Sequence, residues 1–166
     1  NEQANWMNCI QWAIIVLGNF LISMIIDKVP HVLLYILGLL FALSAWGIVV
    51  LFGINDESQL WAFTILWGLE GAVSVQLFYA LWGSELFPAK FRAGAQGLMF
   101  FIVRGLSAVW GLGFTYIYGQ DGGFTTAAYC MIGLLLISLV VGVVGCPNTR
   151  GKSLDAITRE RYGDDF

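Results

Sequence analysis

The sequence predicts an all-α membrane protein that crosses the bilayer five times, and three observations predict it. Hydrophobic residues make up 58% of the 166 residues and charged residues only 11%, where a soluble domain carries about a quarter charged; mean hydropathy is +0.77. The apolar residues gather in runs long enough to cross a bilayer, which takes roughly 20 residues. The charges fall almost wholly in the short connections between those runs. Backbone groups in lipid must bond within their own segment, so the runs are helices; the short alternating pattern of a closed barrel is missing.

The first span is placed at about Trp6 to Ile26 and closes on DKVPH. The second runs from Val32 to Gly53 and closes on GINDESQ. The third runs from Leu60 to Trp82 and ends near Glu85, because Pro88 in SELFPAKFR cannot continue a helix. The fourth, Ala93 to Tyr118, starts after Arg92 and closes on GQDGGF, and the fifth runs from Thr125 to Cys146. Helices joined by such short connections run antiparallel to their sequence neighbours. Residues 1–146 are therefore read as a transmembrane bundle and residues 147–166 as a cytoplasmic tail.

Lys28, Lys90, Arg92, Arg150, Lys152, Arg159 and Arg161 lie in the first connection, the third connection and the tail, while the second and fourth connections carry Asp56, Glu57 and Asp121. Alternation puts the basic residues on one face, and the excess of Lys and Arg on cytoplasmic loops makes that face the inside, with the N-terminus outside. A chain that starts outside with an odd number of spans reads as a piece of something longer. The remaining basic residue, Arg104, falls inside a membrane helix.

Cys9, Cys130 and Cys146 sit in or beside apolar runs without ligand spacing and are read as packing residues. With His31 the only histidine, neither a metal site nor a catalytic triad has a basis, and a net charge of -3 gives no reason for a nucleic-acid partner. No enzyme activity and no cofactor are expected.

SELFPAKFRAGAQG followed by PNTRGKSLDAI resembles the sugar porter family of the major facilitator superfamily. That family carries a Glu, Phe, Pro, Arg patch after its tenth helix and a PETKGKSLEEI-like tail after its twelfth, and DKVPH stands where it has a DRxGRR loop. On this register the five spans correspond to helices 8–12 of a twelve-helix major facilitator fold. The resemblance implies alternating-access transport of a sugar or a polyol such as inositol, coupled to protons, with a missing N-terminal half as partner. The rival is a transporter-like sugar sensor that binds without transport.

The resemblance makes Asp27, Glu85 and Arg92 members of a cytoplasmic charge cluster that latches the two halves; the alternative is topology alone, with Glu85 a solvated partner. His31, where the family has Arg or Lys, is read as sitting at head-group level. For substrate, the family's helix-ten Trp contact falls at Ala80, so direct carry-over fails. Gln76 lies one turn away on the same face, next to Tyr79. On the following span the family's polar lumen position falls at Val103, whose face also carries Gln96, Phe100, Ser107 and Trp110. Polar groups and rings on one stripe suit a polyol; aromatics at helical spacing are equally the mark of packing or lipid contact.

Gly68, Gly71 and Ala72 on the third span, and Gly94, Gly97, Gly105, Gly111 and Gly113 on the fourth, form small-residue surfaces for close helix approach. Glu70 and Arg104 both fall near mid-bilayer, where a lone charge costs roughly 2.5 to 3.5 kcal/mol. They are expected to pair, Arg104 also being a candidate for the substrate path.

Overall fold

The computed structural model describes residues 2–73, 75–145, 149 and 151–163, with the backbone alone at 75–77. All the regular structure among them is helical: α1 Glu2–Ser23, α2 His31–Phe52, α3 Glu57–Val73, α4 Val75–Glu85, α5 Ala89–Tyr118, α6 Gly123–Gly145 and α7 Leu154–Tyr162. Five stretches are long and apolar enough to cross a membrane, the third being Glu57–Glu85 and so comprising α3 and α4. The expected spans are present, each end within about four residues of its placed position.

Local chemistry sets the boundaries. Pro30 and Pro88 occupy the N-cap positions of α2 and α5, where a missing N–H costs nothing. Gly53 closes α2 at φ 73°, a left-handed conformation that a β-carbon would strain, and its N–H bonds the Val49 oxygen. Asn55 follows, its side-chain nitrogen bonding the Phe52 carbonyl oxygen while its backbone N–H bonds Gln59 Oε1.

Helix α2 is the centre of the bundle. Leu34, Tyr35, Gly38, Leu39, Ala42, Ala45, Trp46 and Val49 are buried along it, and their three- and four-residue spacing wraps around the helix between α3 on one side and α6 on the other. Helix α1 packs on α3, and α5 packs on α6 and α4. Near one end of α2, Trp46 meets Phe63 and Trp67 edge-on at 5.3 and 5.8 Å; near the other, Tyr35 meets Phe78 edge-on at 5.7 Å.

The small residues divide into two groups. A β-carbon at Gly68 or Gly71 would press on Ile14 or Ile15 of α1, and one at Gly18 would run into Ala72, so these residues set the α1–α3 approach as expected. On α5, Gly94, Gly97, Gly105, Gly111 and Gly113 meet nothing within 4 Å, and no residue of α5 is buried. That surface is open within the chain. Of the cysteines, Cys9 and Cys130 are exposed on their helices, and Cys146 lies outside the described residues.

Helix α7 is an addition to the sequence reading. Ser153 caps it by accepting a bond from Ala156 N–H, and Asp155 sits in its first turn. Ile157 is buried, and the Tyr162 hydroxyl donates to the Leu86 carbonyl oxygen, so the helix is docked on the segment before Pro88.

Candidate functional site

The candidate residues fall in two groups: the α4–α5 seam with the open stripe of α5, and the end of the bundle where the tail docks.

At the seam, the Tyr79 hydroxyl donates to the Gln96 backbone oxygen at 3.0 Å. A β-carbon on Gly83 would touch Met99 Cε at 3.2 Å and Gln96 Cγ at 3.3 Å, which places the Gln96 side chain against the glycine. The structure thus brings Tyr79 and Gln96 together and commits the Tyr79 proton to a backbone acceptor. The Gln76 side chain lies outside the described residues.

Farther along α5, the Arg104 guanidinium lies 5.0 Å from the centre of the Phe100 ring. Both residues are exposed within the chain, as is Ser107, whose hydroxyl donates to the Val103 oxygen. Trp110 is half-buried. Arg104 stands 15 residues from the first and 14 from the last residue of α5, about 20 Å from either end at 1.5 Å per residue.

No ion pair between Glu70 and Arg104 is present among the described residues, and Glu70 has an interaction of its own. Arg104 reaches Phe100 and makes no ion pair among the described residues. The reason lies in the third crossing: α3, which bears Glu70, packs against α1 and α2, whereas it is α4 that packs on α5. Sequence neighbours in the membrane are not neighbours along their whole length here.

At the tail end, Glu85 closes α4 and Arg92 lies in the first turn of α5. They do not bridge each other. Arg92 donates from Nη2 to the Phe87 oxygen at 3.4 Å, and its Nε and the Glu85 Oε2 are buried without hydrogen-bond partners among the described residues. Such groups are costly to leave unmet. Asp27 is exposed on the neighbouring connection and has an interaction of its own.

His31 departs from the head-group reading. It is 3% exposed, its Nδ1 lies 3.3 Å from Thr149 Oγ1, and its ring centre is 6.1 Å from that of Phe78. His31 is packed against Thr149, a residue between α6 and the tail helix. Nothing in the single sequence signalled this; the capping serine and first-turn acid of SLDAI could have signalled α7. Beyond the buried layer, Lys152 and Glu160 form an ion pair on the exposed tail, and that bond and charge hold the Glu160 carboxyl below the usual carboxylate range.

The family described as "Sugar (and other) transporter" matches residues 2–160, nearly the whole chain and all five membrane-length helices. The minor myo-inositol transporter IolF of Bacillus subtilis (strain 168) is 44% identical over 80 residues, a stretch that covers 48% of this chain and 18% of that protein. No solved structure matches. With its charged, proline-broken patch before α5 and its tail helix after α6 brought together at one end of a multi-pass helical bundle, the chain belongs to the sugar (and other) transporter family of the major facilitator superfamily.

Proposed function

We propose that this chain forms part of the C-terminal half of a secondary carrier for a sugar or a polyol such as inositol, working by alternating access and driven by protons. The observation that carries the reading is the family match across every span, joined to the position of Arg104. A guanidinium at mid-helix on an open face is too costly in lipid, by roughly 2.5 to 3.5 kcal/mol. It needs water, a partner helix or a polar ligand. Phe100 beside it offers a ring for the CH face of a polyol while the guanidinium donates to hydroxyls.

Gln76, Gln96, Ser107 and Trp110 complete the candidate wall, with Tyr79 holding the α4–α5 seam in place through Gln96. Asp27, Glu85 and Arg92 are the proposed gate: the unmet Glu85 Oε2 and Arg92 Nε would bond polar groups of the other half in one state and separate from them in the other. The basic connections and tail lie in the cytoplasm in this reading, with residues 147–166 as the tail.

Binding of labelled myo-inositol to the full-length carrier tests the wall. Phe100→Ala and Arg104→Gln should each weaken binding at least about tenfold, the loss of one charged or stacking contact. Unchanged binding in both variants would remove α5 from the substrate path. Binding without exchange of substrate across the membrane would favour the sensor.

A further inference from the structure

A cavity of about 540 Å³ lies between the start of α5 and the docked tail helix, lined by Pro88, Ala89, Lys90, Arg92, Leu154, Asp155 and Thr158. We propose that it holds the phosphate ester of an anionic membrane lipid.

Charge is the first argument. Lys90 and Arg92 occupy the first turn of a 30-residue helix that has no acidic residue there. Cations at that end oppose the positive pole of the helix, which favours anions. Among the described residues neither cation has a carboxylate partner: Lys90 Nζ lies 5.5 Å from the Phe91 ring centre, and Arg92 donates from Nη2 to the backbone oxygen of Phe87. Asp155 offsets one of the two charges, so the cavity keeps a net positive lining.

Hydrogen bonding is the second. The amides of Phe91 and Arg92 already bond the Pro88 oxygen, while those of Ala89 and Lys90 have no carbonyl within the helix to meet. The Thr158 hydroxyl across the cavity is already donated to the Leu154 oxygen, so the donors left to the cavity come from the α5 wall, with its Lys90 and Arg92 side chains. Phosphate oxygens are acceptors of the required number and charge.

The third argument selects the lipid. Pro88, Ala89 and Leu154 make part of the lining apolar, and α5 continues from the cavity into the membrane with Phe91, Leu98 and Phe101 exposed on its surface. A head group seated at Lys90 would lay its acyl chains along that face. Placing it in the cytoplasmic leaflet rests on the orientation proposed above; the site itself does not.

Native mass spectrometry of the purified full chain in neutral detergent, titrated with phosphatidylglycerol and separately with phosphatidylcholine, tests the proposal. Phosphatidylglycerol should bind in preference. Lys90→Gln should weaken it about fivefold, the usual contribution of one basic residue at an anionic surface, and Asp155→Asn should strengthen it by a few-fold, a gain that misfolding cannot produce. Phosphatidylcholine binding should be the same in all three proteins, and inorganic phosphate in large excess over the lipid should not displace it. Indifference of phosphatidylglycerol to both substitutions would overturn the site, and displacement by inorganic phosphate would overturn the lipid as its occupant. Neither result bears on sugar transport.

Discussion

Replacing Gly142 by alanine should break the α2–α6 contact, and the structure sets the size of the effect. A β-carbon at Gly142 would run into the Tyr35 ring. Tyr35 cannot swing aside cheaply: its hydroxyl lies 2.7 Å from Ser138 Oγ, and its ring is packed against Phe78 and Trp82 at 5.7 and 5.9 Å. Overpacking of this kind costs about 1–3 kcal/mol, and a lost hydrogen bond adds about 1 kcal/mol. Alanine returns up to about 1 kcal/mol through helix propensity, so the net loss is about 1–3 kcal/mol. For a chain of this length that lowers Tm by roughly 2–12 °C, at 2–4 °C per kcal/mol. The assay is thermal unfolding in detergent followed by tryptophan fluorescence, with Gly105→Ala, where nothing lies within 4 Å, as the paired control. The control should melt at or above the parent temperature. In a Tyr35→Leu background the cost of Gly142→Ala should fall below about 0.5 kcal/mol, the usual limit for uncoupled sites. A Gly142→Ala protein that melts with the parent, or one whose cost is unchanged in the Tyr35→Leu background, would refute the reasoning.

Other outcomes follow from the same geometry. Single cysteines at positions 56 and 121 should be labelled from one side of the membrane and those at 28, 90 and 152 from the other; labelling of 56 and 90 from the same side would end the five-span topology. Gly68→Val should weaken α1 docking through Ile14 by about 1–3 kcal/mol, read as faster proteolysis of α1; equal proteolysis would count against that approach. The Glu160 carboxyl is held low in the folded chain by Lys152, so its contribution is present above the unfolded carboxylate pKa and is lost as pH falls through the lower folded value. Lys152→Gln should move the Glu160 titration, followed by carbon NMR, back up toward the ordinary range; an unmoved titration would mean that the pair is not formed in solution.

The spans were legible because a bilayer demands long apolar runs and because Pro30, Pro88 and Gly53 punctuate them. The α1–α3 approach was legible in part, since Gly68 and Gly71 could be seen as small residues but not matched to Ile14 and Ile15. The depth of Glu70 and Arg104 follows from counting along their helices, whereas the azimuth of α3 toward α1 and α2 follows from packing that one sequence does not display. His31 was misplaced for a related reason. Its neighbours include Thr149, which lies 118 residues away, and the ring of Phe78 on another helix. The charged patch between α4 and α5 was found by its motif, yet its unmet Glu85 and Arg92 atoms required coordinates.

The most direct test of the central claim is uptake of labelled myo-inositol and hexoses by the full-length carrier reconstituted in proteoliposomes, with and without an inward proton gradient. Uptake of at least one polyol or sugar should be saturable, accelerated and made concentrative by the gradient, and reduced by Arg104→Gln without loss of protein from the membrane. Binding without uptake under any gradient would contradict the carrier reading, and uptake indifferent to the gradient would contradict its coupling to protons.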